Sequence, residues 1–510
     1  MASAEKPKAG SKKVSRKDRA AEVANTFEWL ITAFVLAFLF RAFVMEAFRI
    51  PTGSMADTLK GAHFRLRCVQ CGYRYDYGLG NFRLPRDTLP RRPLKPMPSR
   101  CPSCGYYYPT GAIGALANGD RILVLKCIYQ FLEPRQWDVV VFKNPLNPSE
   151  NYIKRLIGRP GQAVEIIDGD IYIDGAISRK PPKVQDELWM VVYDNDYQPV
   201  RPRQGPFNTE SWEQPFKSVA GSQWQVDAAE PTRFSLSGAG QDVHTMIYDT
   251  SAGNDFKTTY AYDDVRDYSN MPYCSDLMVR FYAARGEGPG RVGIAMSKYE
   301  TRYEAWVDSS GQMVITKAAG DGPAEELARR GIDMDGERGP SLVKFSNVDH
   351  ELIFQFGAEV LTYDLGTSPG DAGERKTDIQ PQVKIFGSGA MTLSHVAIFR
   401  DIHYTEKKYA NSYETGRAVE GNPLRLEADE FFVLGDNSPN SEDGRWWSTP
   451  GKGNNGVSYR AGIVPRDYLV GKAMFVYWPS GFRPDPRFPF GIIPNVGQMR
   501  FIYGGSGQSP

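Results

Sequence analysis

Four cysteines fall in two repeats, "RCVQCGYRY" and "RCPSCGYYY", each reading Cys-x-x-Cys-Gly-Tyr. A two-residue gap lets both thiolates and the adjacent backbone amides face one metal. Two such turns, Cys68 with Cys71 and Cys101 with Cys104, complete a tetrahedron around Zn²⁺. Four protein ligands leave no open position, so the metal would be structural, and no cofactor for catalysis is implied. In an oxidising compartment the same residues offer two disulfides instead.

A second kind of chemistry lies in "NYIKRLIGRPG" (Asn151 to Gly161). Strand alternation places Lys154 on a face with Tyr152 and Leu156, and Arg155 on the other with Ile153 and Ile157. Burying an ammonium lowers its pKa from about 10.4 by as much as several units, and a neutral amine is a general base. A lysine at a strand edge that reaches solvent is the commoner case, so the strand alone does not decide. The matching nucleophile is in "FRIPTGSMADTL" (Phe48 to Leu59), where Ser54 sits on a small-residue turn. Thr52, two residues earlier, can turn its hydroxyl to the same side. Serine hydrolases that use lysine in place of histidine are a known variant of nucleophile activation. The five histidines, at 63, 244, 350, 395 and 403, form no metal-protease pattern.

These residues need elements to hold them. Lysines 6, 8, 12, 13 and 17 with Arg16 and Arg19 crowd the N-terminus, although the whole chain of 510 residues carries a net charge of only +1. That balance argues against a nucleic-acid partner. An uncharged apolar run from Trp29 to Phe40 resumes after Arg41, roughly the minimum for a tilted span. The flanking basic residues place the N-terminus in the cytoplasm and the remainder outside. The same run also fits the apolar core of a cleavable export signal.

From about Gly119 the pattern is of short β-branched runs broken by Pro, Gly and Asp. After Lys183 many further runs alternate in period two, as in an antiparallel sandwich, and near Leu424 the earlier style returns. The organisation read from this is mainly β. It comprises a basic tail (1–25), a transmembrane anchor (26–47), and a catalytic domain in two parts (48–184 and 423–503). A four-cysteine, zinc-ribbon-like insertion (62–112) and an inserted sandwich (185–422) interrupt it, and a disordered tail (504–510) ends the chain. Insertions at exposed loops are tolerated. The size of the sandwich and its separation from the Ser54 and Lys154 segments suggest a docking or recognition module.

Taken in order, the anchor with "IPTGSMADTL", then "GDRILVLK" with "WDVVVFKNP", then "NYIKRLIGRPG", then "GDNSPNSEDGRWW" resemble the boxes of the type I signal peptidase (leader peptidase) family. The ribbon and the sandwich, which is similar to lectin-like and laminin-G-type domains, fall outside the resemblance. By position, it implies Ser54 as nucleophile and Lys154 as the base that takes its proton. Ser441 would hold the amine, and Thr52 with the Ser54 amide would form the oxyanion hole. Asp436, Asp443 and Arg445 would be a supporting ion-pair network. Asp57 stands where the family usually has proline, "SPNS" replaces a more charged run, and "STPGKGNNGVSYRAG" is an inserted loop.

The resemblance implies a membrane-bound serine endopeptidase that removes signal peptides from exported preproteins. It would be retained in the cytoplasmic membrane by a single span, with its catalytic domain on the outer face. Its partners would be preprotein signal peptides and the lipid bilayer, with a glycan or protein ligand for the sandwich. The alternative is a membrane-anchored binding protein that uses the sandwich and carries an inactive peptidase part.

Overall fold

The computed structural model describes residues 16–505 other than 80–98, 109–114, 203–206, 208–210, 227–229, 239, 264–270, 287, 321, 335–338, 409–413, 454–455, 457 and 482–492. The tail residues Lys6, Lys8, Lys12 and Lys13, most of the loop between the cysteine pairs, and residues 506–510 therefore lie outside it.

Helix α1 (Arg16–Leu39) continues through a π-helical turn (Phe40–Val44). Among the described residues, Glu22–Val44 is the one helical stretch long and apolar enough to cross a membrane, and it is not buried against the rest of the chain. The helix ends at Val44, short of residue 47, because Met45–Arg49 already pairs with Arg121–Leu125, from Met45 opposite Leu125 to Arg49 opposite Arg121. A strand that enters a sheet satisfies its backbone groups there, so it cannot prolong the helix.

The sheet that begins in this way has strands β1 (Met45–Arg49), β2 (Arg121–Leu125), β3 (Val139–Asn144), β4 (Asn147–Gly158), β5 (Glu430–Leu434), β6 (Val464–Pro465) and β7 (Leu469–Trp478). Their spatial order is β1-β2-β7-β3-β4-β5-β6, so strands from both ends of the chain interleave. Residues 139–142 are buried throughout, as a central strand covered on both faces requires. Ile122, Val124, Val139 and Val141 pack on one side, and Val140, Phe142, Leu156 and Val433 on the other. A smaller antiparallel sheet joins Ala163–Ile167, Asp170–Ile173, Ala176–Ile177 and Leu424–Arg425.

Between these halves stand two antiparallel sheets of eight and seven strands. The first includes Met190–Asp194 and Met391–Arg400, and the second is centred on Arg291–Lys298 and Val383–Ser388. They enclose a shared core that includes Phe234, Phe281, Ile294, Phe345 and Ile385, each fully buried. Alternation buries every second residue of Thr301–Asp308, as expected of a sandwich face. A buried ion network fastens this unit to the smaller sheet. Lys298 pairs with Asp276 and lies 3.8 Å from Asp170, while Lys180 pairs with Asp349 and reaches Asp401 at 2.9 Å.

Gly504 and Gly505, expected in a disordered tail, are packed against the segment that leads into β3. Gly504 and Gly505 lie against Asp138 and Gln136 so closely that a Cβ on either would come within 2.3 Å of them. Packing of that kind fixes residues that composition alone reads as disordered.

Candidate active site

Strand β4 carries Lys154 into the sheet interior. It pairs with β3 on one side, Lys154 opposite Val140, and with β5 on the other, Leu156 opposite Val433. Lys154 is only 4% exposed. Desolvation holds its amine down at about 8, against the opposing pull of the Asp443 and Asp436 carboxylates and with help from the Arg445 cation. Its Nζ stands 2.5 Å from Ser54 Oγ. With the amine neutral, the serine hydroxyl can donate to the nitrogen lone pair, the arrangement from which a base takes a proton.

The turn that presents Ser54 is held from several sides. Ala56 N donates to Gly53 O at 3.0 Å and Leu59 N to Met55 O at 2.7 Å. Met55, Ala56 and Leu59 are fully buried. Asn437 clamps the turn twice, its backbone N–H to Ser54 O at 3.1 Å and its side-chain amide to Gly53 O at 3.2 Å. Gly435 must be glycine, because a Cβ there would lie 2.4 Å from Ser54 O and 2.2 Å from Ser441 Oγ. Among the described residues, neither the Ser54 amide nor the Thr52 hydroxyl has a hydrogen-bond acceptor. Both residues line a cleft of about 690 Å³ together with Lys154, and residues 150–153 of β4 form one wall.

The three residues expected to form one ion-pair network divide into two. Arg445 grips Asp443, Nε to Oδ1 at 2.9 Å and Nη2 to Oδ2 at 2.8 Å, and also donates to Thr405 O and Ser438 Oγ. Asp436 instead accepts from Arg155, at 2.8 Å from Nε and 2.7 Å from Nη2. Alternation on β4 explains the split: the residue after the buried lysine faces the opposite side, where a buried guanidinium requires a carboxylate. Ser441 is buried, but among the described residues its hydroxyl has no hydrogen-bond partner, the Lys154 amine included. Its oxygen is packed beside Gly435 instead.

Sequence reasoning gives no site role to Arg155, Asn437 or Ser438. For Arg155 a signal is present, an arginine on an apolar strand face. For Asn437 and Ser438 it is only their place in the "GDNSP" turn.

The sandwich is not remote from this cleft. From its strand His244–Tyr248 the chain makes an excursion whose arms pair through Thr258 N to Pro272 O at 2.9 Å and Cys274 N to Phe256 O at 2.8 Å. Its tip brings Tyr262 and Asp263 into the lining of the same cleft. Asp263 Oδ1 accepts from Asn437 Nδ2 at 2.9 Å, and Tyr260 donates to Asp436 O at 3.0 Å. The separation that suggested an independent docking module reflects distance along the chain only.

The four cysteines converge. Cys68 and Cys104 Sγ are 3.6 Å apart, as are Cys71 and Cys101 Sγ, and all four sulfurs lie within 4.8 Å of one another. A disulfide requires about 2.0 Å, whereas sulfurs about 2.3 Å from a tetrahedral zinc are separated by about 3.8 Å. The two knuckles share one local design. Cys68 N donates to Tyr73 O and Cys101 N to Tyr106 O, and Gly72 and Gly105 adopt φ of +78° and +75°. That backbone favours glycine, which accounts for the repeated Cys-Gly. The donor set is compatible with a structural metal.

A family model described as signal peptidase, peptidase S26, matches residues 109–214 and 383–478. The match contains Lys154, Asp436, Ser441, Asp443 and Arg445, stops short of Thr52 and Ser54, and is interrupted where most of the sandwich stands. Signal peptidase I of Rickettsia canadensis (strain McKiel) is 32% identical over 149 residues, 29% of this chain and 42% of that protein. Signal peptidase I of Rickettsia prowazekii (strain Madrid E) is 31% identical over 144 residues, 28% of this chain and 40% of that protein. The chain thus spans about two-fifths of the length of these relatives. Among solved structures, a carbohydrate-binding module, CBM66, from Bacillus subtilis aligns with 36% of this chain and 95% of its own. Its TM-score is 0.23 and its identity 12%. Over these segments the chain is similar to type I signal peptidases and matches the peptidase S26 family model.

The Asp443–Arg445 pair is fully buried. Asp443→Ala strands the guanidinium and is expected to cost about 3–5 kcal/mol of stability, measured by denaturant unfolding. A variant as stable as the wild type would contradict the reading of this pair as a buried support.

Proposed function

We propose that this chain is a membrane-bound serine endopeptidase that removes signal peptides from exported preproteins, with Ser54 as nucleophile and Lys154 as general base. The observation that supports this most is the 2.5 Å approach of Lys154 Nζ to Ser54 Oγ, with the amine desolvated. Ser54 Oγ attacks the scissile carbonyl as its proton passes to Lys154. The oxyanion accepts hydrogen bonds from the Ser54 amide and the Thr52 hydroxyl, donors of this kind contributing about 3 kcal/mol each. Lys154 then returns the proton to the leaving amine, and finally takes one from the water that attacks the acyl-enzyme, passing it to Ser54 Oγ as the acyl–oxygen bond breaks. Asp443 with Arg445, and Asp436 with Arg155, hold the turn that carries Asn437. Ser441 serves in this reading by its small size beside Gly435.

The substrate class is a preprotein whose signal ends in a small-x-small pattern. The extended segment would enter the cleft beside residues 150–153, adding to a strand edge. Helix Glu22–Val44 would cross the cytoplasmic membrane with its basic end inside. Only β1 and a short turn then separate the lipid from Ser54, which tethers the nucleophile where scissile bonds emerge. The alternative, an inert peptidase part serving a binding protein, is disfavoured because it gives no reason for a buried amine to meet a hydroxyl. We assign Cys68, Cys71, Cys101 and Cys104 to one structural zinc, which ties strands His63–Arg67 and Arg74–Gly78 to the Ser99–Arg100 hairpin.

Membranes carrying the wild-type chain should cleave a preprotein with a small-x-small signal, and Ser54→Ala and Lys154→Met should lose at least a thousandfold in kcat/KM. Because only the neutral amine is active, kcat/KM should rise about tenfold per pH unit below 8 and level off above it. Equal cleavage by all three proteins would remove the dyad from the mechanism. For the metal, the purified protein should contain one zinc per chain, and a chelator should lower its melting temperature. A protein indifferent to chelator but destabilised by reductant would point to disulfides.

A further inference from the structure

The excursion from the sandwich does more than border the cleft. Tyr262 is wedged between the nucleophile turn and the ribbon. Its ring occupies the space that side chains at Gly53 and Gly78 would need, since a Cβ built on either would fall 2.2 and 2.1 Å from Tyr262 Cε1. Gly53 does not have a positive φ. Its lack of a side chain therefore answers to the tyrosine ring and not to backbone strain. The backbone of Tyr262 accepts from Gly78 N at 2.8 Å, and its hydroxyl donates to Ala62 O at 3.4 Å.

The neighbouring residues fix the tip that carries the ring. Tyr260 is buried, donates to Asp436 O at 3.0 Å, and lies under the Arg400 guanidinium at 5.3 Å. Arg400 also donates to Thr259 O. Asp263 N closes the tip onto Tyr260 O at 3.0 Å, while its carboxylate receives the amide of Asn437. That same amide group holds Gly53 O. The inserted unit therefore reaches the Ser54 turn by two routes: ring against Gly53, and carboxylate through Asn437.

We propose that the inserted sandwich is an integral part of the peptidase site, with Tyr262 as a positioning residue that sets the Gly53–Ser54 turn against Lys154 and Asp263 orienting Asn437 for the same purpose. This rests on the peptidase reading above. A turn supported only by its own hydrogen bonds would let Ser54 Oγ drift, and small displacements at a reacting atom are costly because catalysis depends on near-attack geometry. Packing from a rigid sandwich removes that freedom. The sandwich is in turn fixed to the smaller sheet by the buried Lys298 and Lys180 pairs.

The test is a steric cycle in the full-length membrane protein, read as cleavage of a preprotein with a small-x-small signal. Gly53→Ala should lower kcat at least tenfold with little change in KM, because its methyl meets the Tyr262 ring and displaces the turn. Tyr262→Ala should also lower kcat, and Tyr262→Phe should recover most of that loss. The double variant Gly53→Ala/Tyr262→Ala should be more active than Gly53→Ala alone, since the methyl then has room.

Losses that simply multiply, or that fall on KM, in a wild type that cleaves normally would overturn the positioning role and leave the peptidase reading standing. A wild type that cleaves nothing would overturn both. The same cycle in a Ser54→Ala background, read by thermal unfolding, separates packing from positioning. Coupling in stability without coupling in kcat would make the contact structural only and sink the proposal.

Discussion

The desolvation of one amine governs this structure. A lysine in water is protonated at any physiological pH, and a protonated Lys154 could accept nothing from Ser54. Burial reverses this by holding the pKa at about 8 instead of 10.5. The cost is real. A lysine whose folded pKa lies below its unfolded value destabilises the native state at every pH below the folded value, by about 1.4 kcal/mol per unit. Here that is of order 3 kcal/mol below pH 8, relieved as pH rises from there through 10.5. The fold must offset this elsewhere, and the surrounding strands, buried from Val139 to Phe142 and at Leu156 and Val433, supply the apolar burial that does so.

Carboxylates near such an amine would restore its charge, yet two are present. Asp443 and Asp436 each draw the pKa upward, and each is occupied by its own guanidinium. Pairing neutralises their charge locally and lets burial prevail at the lysine. The same pairing accompanies the burial of most of the polar turn from Gly435 to Arg445, whose Asn440 and Glu442 alone are exposed. The turn's hydrogen bonds converge on Arg445 and on Asn437, and the latter carries the constraint across to the serine turn. The sandwich fits the same logic. An insertion of this size would be expected to hang from a surface loop, but its tip packs Tyr260 and Tyr262 against Ala56. The site is built from three regions far apart in the chain, and none of them closes it alone.

Much of this is legible in the residues. The period-two alternation around Lys154 puts it on an apolar face with Tyr152 and Leu156, and Ser54 stands out by its small neighbours. The doubled Cys-x-x-Cys-Gly announces a four-sulfur cluster, and the change of pattern near Lys183 and Leu424 marks the inserted unit. What escapes is set by tertiary packing. Arg155 and Asp436 are 281 residues apart, and nothing local names one as the partner of the other. Among the described residues Ser441 lacks its expected bond to the lysine, and its oxygen lies beside Gly435. The helix expected to run to residue 47 ends at Val44, because strand pairing competes for the same backbone. Tyr262 carries no motif, and its role depends on a glycine at 53 that sequence reads as ordinary turn chemistry.

Everything at this site turns on the charge state of one nitrogen. Selective ¹³Cε labelling of lysine, with Lys154 assigned by comparison with Lys154→Met, would allow its titration to be followed by NMR in the full-length protein held in detergent micelles. Lys154 should show a midpoint near 8 while the exposed lysines titrate above 10. A Lys154 resonance that stays with the exposed lysines, still protonated at pH 9, would rule out a neutral base beside Ser54.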